Sequence, residues 1–409
     1  MKAGWTTKRL EELVEIRLGR TPPRAEKKFW DPTKATDNTW VSIADLSENE
    51  GGVITESKEH LSQPGADSTP LVKAGTLLVS FKLSLGKVAI AGKDLRTNEA
   101  IAAMPIKDRS LDVNWLKYFF QFFDWNKAAV GEEKVKGKAL NKEKLKEIEI
   151  PLPPLAEQKR IVALLDEAFA GIDEAKAKTE ANLEKATAVF ESHLQSLFAI
   201  DNPDWACAKL SSLTTKIGSG ATPRGGEESY KDEGVSLIRS LNVHDYGFKY
   251  AKLAFLDAVQ AEELSGVTVQ ENDVLLNITG ASVARCTIVP RGVLPARVNQ
   301  HVAIIRPMPE KVSSAFLHYL LISQPYKSRL LETGEEGGST RQAITKAQLL
   351  EFTISHPVSV ETQQATAKHL DEVREQTQRL SQLHKQRLDA LSALKQSILS
   401  QAFAGELTA

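Results

Sequence analysis

Ile148-Glu149-Ile150-Pro151-Leu152-Pro153-Pro154-Leu155-Ala156-Glu157-Gln158-Lys159-Arg160-Ile161-Val162 changes character halfway along its length. An apolar run that reads as a strand stops at prolines, which lack the amide hydrogen a strand needs and fix the direction of the chain beyond them. From Glu157 to Ala199 there is no proline and only one glycine, Gly171, while Ile161, Leu165, Ala168, Ile172 and Ala175 recur at alternating steps of four and three. That rhythm predicts a long coiled-coil helix. Some forty residues at 1.5 Å each span roughly 60 Å, far more than a small core covers, so the helix needs a partner along its length.

The same change occurs again about two hundred residues later. Phe352-Thr353-Ile354-Ser355-His356-Pro357 ends a second strand, and Thr362 to Ala404 carries Leu370, Val373, Thr377, Leu380, Leu391, Leu394 and Ile398 in a similar rhythm. Each helix is the obvious partner of the other. Asn182, His384 and Arg387 fall at or near the expected seam, where polar residues set register or mark places where further helices pack.

Outward from these junctions the whole chain repeats. Trp5, Leu10 and Leu13 recur as Trp205, Leu210 and Leu213, and Gly19-Arg20-Thr21-Pro22 recurs as Gly220-Ala221-Thr222-Pro223. Asn98-Glu99-Ala100-Ile101-Ala102 matches Asn299-Gln300-His301-Val302-Ala303, and Trp115-Leu116-Lys117-Tyr118 matches Phe316-Leu317-His318-Tyr319. The register persists through Leu165-Asp166-Glu167 against Leu370-Asp371-Glu372 and ends with Phe198-Ala199 against Phe403-Ala404. Each copy opens with short apolar runs bounded by turn residues, such as Leu77-Leu78-Val79 and Leu275-Leu276-Asn277-Ile278, which read as strands. Trp115–Phe123 and Phe316–Ile322 read as short helices packed on them. The pattern predicts an α+β chain: two pseudo-repeated α/β domains separated by two long helices that form an antiparallel coiled coil. The expected limits are residues 1–155 for the first domain, 156–204 for the central helix, 205–360 for the second domain and 361–409 for the last helix.

At 409 residues with 42% hydrophobic content, the chain has material for several ordinary domain cores. Two cysteines, Cys207 and Cys286, cannot supply a disulfide framework. No segment has the length of a membrane span and the start lacks a secretory apolar run, so the expectation is a soluble, cytoplasmic protein. The net charge of -1 conceals an uneven distribution. Residues 1–155 hold 25 Lys and Arg against 22 Asp and Glu, residues 206–355 hold 16 against 15, and residues 156–205 hold 5 against 10. Composition alone favours no nucleic-acid role; a polyanion, if bound, belongs on the two larger segments.

Catalytic signatures fail on inspection. Gly131 to Ala139 has the flavour of a phosphate-binding loop, but its glycines are one residue too far apart and Ala139 stands where Ser or Thr would hold magnesium. Gly218-Ser219-Gly220 leads into Thr222-Pro223 and not into a helix, so it is a turn. Asn202-Pro203-Asp204-Trp205 resembles the base-holding motif of adenine methyltransferases, but Asp204 breaks it and no cofactor loop lies upstream. No His or Cys pair has zinc spacing and there is no nucleophile elbow. The chain is expected to be non-catalytic.

Pro153-Pro154-Leu155-Ala156-Glu157-Gln158-Lys159-Arg160-Ile161-Val162, with Leu164-Leu165-Asp166 beyond it, resembles the conserved region of specificity subunits of type I restriction-modification enzymes. Trp5, Leu10, Leu13, Gly19, Thr21-Pro22, Phe29-Trp30 and Trp40 to Leu46 resemble the start of their target-recognition domains, and Ser397 to Leu407 resembles the family's terminus. The resemblance covers essentially the whole chain. It departs at Val358-Ser359-Val360-Glu361-Thr362-Gln363, where the Pro-Leu-x-Glu-Gln pattern is degraded. The resemblance implies two target-recognition domains, each reading half of a split, asymmetric site in double-stranded DNA, with the helices fixing the unread spacer. It also implies two modification (methyltransferase) subunits as partners and, through them, restriction/translocase subunits. S-adenosylmethionine, ATP and magnesium would reside on those partners, with no cofactor on this chain. The competing expectation is a scaffold whose duplicated modules hold proteins and never touch DNA.

Candidate DNA contacts cluster before each proline-marked strand. Residues 127–146 hold seven Lys against three Glu, including Lys134, Lys136 and Lys138; the matching segment holds Thr340, Arg341 and Gln342. Arg and Gln can read base edges, whereas Lys mostly neutralises phosphate. Lys82 and Lys87 in the first copy and Arg285 in the second flank matching turns, and Arg24 and Arg224 follow the matched Thr-Pro turns. Replacing Arg341 and Gln342 with Ala is expected to relax discrimination at the second half-site.

Overall fold

The computed structural model describes residues 4–129, 133–134, 137–138, 140–198, 203–335 and 343–407. It divides into two compact units, residues 1–179 with 386–409 and residues 180–385. Each unit joins one α/β region to facing stretches of both long helices, Leu155–Leu197 and Val360–Ala404.

In the first unit the proline-marked strand Glu149–Leu152 pairs antiparallel with the opening strand Thr6–Arg9, which brings the two ends of the α/β region together at the helix start. A five-stranded sheet follows the order Arg17–Leu18, Ile101–Met104, Leu77–Ser80, Val88–Ala91, Val53–Ile54, and a three-stranded sheet sets Thr39–Val41 between Glu59–His60 and Arg96–Thr97. The second unit repeats the plan. Ala206–Lys209 pairs with Thr353–His356; one four-stranded sheet runs Thr214–Ser219, Val302–Pro307, Val274–Asn277, Cys286–Ile288, and another runs Ala254–Leu256, Val235–Ile238, Ala296–Val298, Thr268–Val269.

The matched residues do matched structural work. A Cβ on Gly19 would lie 2.2 Å from the carbonyl oxygens of Thr97 and Asn98, and one on Gly220 would lie 1.7 Å from that of Val298, so both turns require glycine for close backbone approach. Beside them Thr21 donates to Glu99, and Thr222 to Gln300. The helices Val113–Phe122 and Ser314–Ile322 carry Tyr118 and Tyr319, whose hydroxyls donate to Asp166 and to Asp371 on the long helices. Burial, reinforced by Asp371, pushes the Tyr319 hydroxyl up to about 12.

Gln158 shows why the junction motif matters. Fully buried, it accepts from the Asp112 amide at 2.8 Å and donates to the carbonyls of Ser110 at 2.7 Å and Pro153 at 2.8 Å. In the second unit Gln363 accepts from the Ser313 amide at 2.8 Å and donates to Pro357 at 2.8 Å and Lys311 at 3.1 Å. The degraded motif therefore keeps the one residue that ties the helix start to the domain.

Within each unit the two long helices run antiparallel. Arg160 donates to the Leu407 carbonyl and Asp173 pairs with Lys395 at 3.3 Å in the first; in the second, the His193 and His369 rings meet at 5.1 Å. The seam of the second helix differs from the expected one. Leu380 and Leu394 are 43% and 47% exposed, and Arg387 and Asn182 are also exposed. The covered positions are Arg374, Thr377, Ser381, His384, Leu388, Leu391, Lys395 and Ile398, alternating at three and four from Leu370 to Ala402. Leu370, Val373, Thr377, His384, Leu391 and Ile398 of the expected seam are covered, and the expectation fails at Leu380 and Leu394, where the neighbouring Ser381 and Lys395 take the covered position.

Aromatic residues bolt each α/β region to a helix end. Trp115 meets Trp5 at 5.7 Å and Phe403 at 4.6 Å, whereas Phe316 meets Trp205 at 5.6 Å and Phe198 at 5.3 Å. The first domain is thus closed by the end of the second helix, and the second domain by the end of the first.

Candidate nucleic-acid interface

Arg24 lies just beyond the Thr-Pro turn, where its guanidinium stacks 4.2 Å from the Trp30 ring and 4.6 Å from the Trp40 ring. Both its terminal nitrogens donate to the Glu59 carboxylate. Trp30 and Trp40 meet edge to face at 5.2 Å, and Trp40 is itself anchored by an indole N–H to the Arg20 carbonyl at 3.1 Å. Contact with two rings and a two-point carboxylate hold the guanidinium in one orientation. The group borders a recess of about 640 Å³ also lined by Lys27, Asp31, Lys58 and His60. Asp31 accepts from the amides and hydroxyls of Thr33 and Thr36, and these hydrogen bonds, Thr33 foremost, pull its carboxyl down to about 2.

Lys82 and Lys87 lie on a different sheet, in the loop between Leu77–Ser80 and Val88–Ala91. The Lys82 ammonium sits 5.0 Å over the Phe81 ring, and Lys87 pairs with Glu50. Leu140 donates its amide to the Phe81 carbonyl at 2.9 Å, so the Lys-rich segment leads into this loop. Lys134 and Lys138 lie on strands Glu133–Lys134 and Gly137–Lys138, which pair as a hairpin; Lys136 lies outside the described residues. The structure thus sets Leu140, just beyond one candidate group, against the backbone that opens the other, the 82–87 loop.

The second unit repeats that juxtaposition. Ile344 donates to the Ile278 carbonyl at 2.8 Å and Ala343 bridges Thr279, which places these two residues beside the turn that carries Arg285. Thr340, Arg341 and Gln342 lie outside the described residues. Arg224 is exposed, and among the described residues no aromatic ring stacks on it as Trp30 and Trp40 do on Arg24. A related cluster is built from other positions: Arg239 lies 5.2 Å over the Tyr230 ring, pairs with Glu227 at 2.6 Å and donates to the Lys252 carbonyl. His244, Lys249 and Arg285 line a recess of about 440 Å³.

Sequence reasoning picked Arg24 but missed Trp40, Glu59 and the Arg239 cluster as its partners and counterpart. Trp30, six residues from Arg24, was a usable signal. Glu59 was not, because only strand pairing brings it to Trp40.

A duplicated α/β unit carrying unequal cationic and aromatic surfaces, with each copy tied to long helices by the same residues, defines a two-headed recognition protein. The family model for the type I restriction modification DNA specificity domain matches residues 2–185 and 204–391, and the chain belongs to that family. It is a specificity subunit of a type I restriction-modification system with two DNA-recognition domains. The specificity subunit of the type I restriction enzyme MjaIX of Methanocaldococcus jannaschii is 23% identical over 309 residues, 70% of this chain and 69% of that one. The EcoBI specificity subunit of Escherichia coli is 26% identical over 301 residues, 66% of this chain and 61% of the relative. A chain solved in a study of complex assembly and conformational transition of the type I R-M system matches with a TM-score of 0.76 at 20% identity, covering 100% of this chain and 99% of that one. No helix among the described residues is long and apolar enough to cross a membrane.

Proposed function

We propose that each recognition domain reads one half of a bipartite, asymmetric site in double-stranded DNA, while the long helices set the spacer between the halves. The chain acts in the cytoplasm without chemistry of its own. It docks two methyltransferase subunits, which supply S-adenosylmethionine, and through them the restriction/translocase subunits that use ATP and magnesium. Half-sites about one helical turn apart, ~34 Å, present the same face of the duplex to both heads.

One observation carries this reading: Gln158 and Gln363, and Tyr118 and Tyr319, make matched ties between domain and helix, whereas the exposed cationic faces of the two copies differ. Arg24 has a Trp30, Trp40 and Glu59 cage, and among the described residues none encloses Arg224. A shared frame with different faces suits a fixed spacer between two different half-sites. Arg24 is the base-reading candidate of the first domain, and Lys82, Lys87, Lys134, Lys136 and Lys138 supply phosphate contacts. In the second domain Arg285, Arg224, Thr340, Arg341 and Gln342 serve these roles. The test is to co-purify the chain with a methylating subunit and map methylated adenines across a genome. A single split motif is expected. Random or absent methylation from an intact complex would refute the reading.

A further inference from the structure

The second unit contains a connection that the first lacks. After the strand Thr39–Val41 the first copy forms a helix, Ile43–Glu48; after the matching strand Val235–Ile238 the second forms a hairpin, Val243–His244 with Gly247–Phe248. Its tip, Asp245-Tyr246, is held from two sides. Asp245 accepts from the Cys286 amide at 3.0 Å, pairs with Lys327, and through its carbonyl meets His318 Nε2 at 2.9 Å, all within the α/β region. Tyr246 reaches the helices: its hydroxyl donates to Glu191, its carbonyl accepts from Arg374, and its ring packs 5.8 Å from Phe190 under the Arg374 guanidinium at 5.3 Å. Burial and the Glu191 carboxylate raise the Tyr246 hydroxyl above its ordinary value, so it remains a proton donor at neutral pH. The sides of the same hairpin carry His244 and Lys249 toward Arg285.

The helix positions that match Phe190, Glu191 and Arg374 in the first unit are Lys395, Gln396 and Phe169. There Lys395 lies 4.6 Å over Phe169 and pairs with Asp173. Among the described residues, none from 43 to 54 hydrogen-bonds to the long helices.

We propose that the Tyr246 hairpin is a strap that fixes the orientation of the second recognition domain on its helix pair, making Tyr246 a positioning residue for spacer length at the second half-site. The proposal rests on the DNA-reading function above. A domain held only by a shared frame can rock about it; one further charge-assisted contact at the hairpin tip removes that freedom and holds the His244, Lys249 and Arg285 face at one distance along the duplex.

The experiment uses the full chain in complex with its methylating subunit, on DNA carrying the mapped site with its native spacer and with spacers one base pair shorter and longer. Methylation rates are compared for the wild type, Tyr246→Phe, Tyr246→Ala and Arg285→Ala. Tyr246→Phe, which loses the hydroxyl's charge-assisted hydrogen bond to Glu191, is expected to reduce the preference for the native spacer about tenfold. Tyr246→Ala, which also loses the ring contact with Phe190, reduces it further. Arg285→Ala lowers all three rates in parallel and leaves the preference intact. If the Tyr246 variants instead slow all spacers in parallel, or change nothing, the strap is wrong and the DNA reading stands. A wild-type complex that methylates without site preference overturns both.

Discussion

Phe403→Ala should destabilise the first unit and spare the second. Phe403 is near the end of the second long helix, but its ring contacts Trp115 at 4.6 Å, Phe119 at 5.6 Å and Phe122 at 5.4 Å, all in the first α/β region. Removing a fully buried Phe costs ~3–5 kcal/mol, and favourable aromatic pairs add about 0.5–1.5 each. Phe403 is only half-buried, so ~2–3 kcal/mol is expected. With a urea slope of about 2–3 kcal/mol/M, the unfolding midpoint falls by roughly 1 M. The chain provides separate reporters. Of its six tryptophans, Trp5, Trp30, Trp40, Trp115 and Trp125 lie in the first unit, so fluorescence follows that unit. Cys286 is buried in the second unit, so in a Cys207→Ser background its reaction with a thiol reagent follows the other. Tryptophan unfolding should shift while Cys286 exposure does not, and Phe198→Ala should give the opposite result. If both reporters shift together for Phe403→Ala, or neither does, the crossed attachment of helix ends to domains is wrong.

Acid should loosen the first unit through identified carboxylates. Asp31, held by Thr33 and Thr36, and Asp108, held chiefly by Lys8 at 2.6 Å, have carboxyls at about 2 against an ordinary 3.8. Because the folded values are depressed, their stabilisation is complete above the ordinary value and is lost as pH falls toward the folded one. Replacing both with Asn should flatten the pH dependence of tryptophan-monitored stability in that window; an unchanged slope would show that other groups govern it. Arg24→Ala should relax discrimination at the first half-site by about tenfold or more, the range for one bidentate base contact, without altering the second. Arg24→Lys should not restore it, because a lysine lacks both the plane and the fork; recovery with Lys in a methylation-specificity assay would reduce Arg24 to a phosphate contact.

Much of the architecture was legible because the repeated residues are those under the tightest physical constraint. Gly19 and Gly220 admit no side chain, Gln158 and Gln363 are buried and hydrogen-bonded on both sides of their amides, and Tyr118 and Tyr319 each reach a long-helix Asp. What the repeat could not disclose was partner choice. Phe198 and Phe403 match each other in sequence, yet each closes the domain of the opposite copy. Leucine spacing also misjudged two seam positions, since Leu380 and Leu394 face outward while the neighbouring Ser381 and Lys395 are partly covered. The site was legible only in part: Arg24 stood out beside a matched turn, but its cage comes from strands paired at a distance, and the Tyr246 hairpin lies where the copies share no pattern.

That last point bears on how such a chain can change what it reads. If all contacts between domain and helix were matched, either α/β region could be exchanged for another without disturbing the frame. The first copy meets that condition in the segment after Thr39–Val41, whose described residues bond within their own region. The second does not, because its hairpin needs Glu191 and Arg374, and the corresponding first-unit positions hold Gln396 and Phe169. A second-copy domain moved to the first position would retain Tyr319 for docking but lose the donor-acceptor pair at Tyr246. The duplication is therefore symmetric in its frame and asymmetric at the Tyr246 tie, which lies beside the recess lined by His244, Lys249 and Arg285.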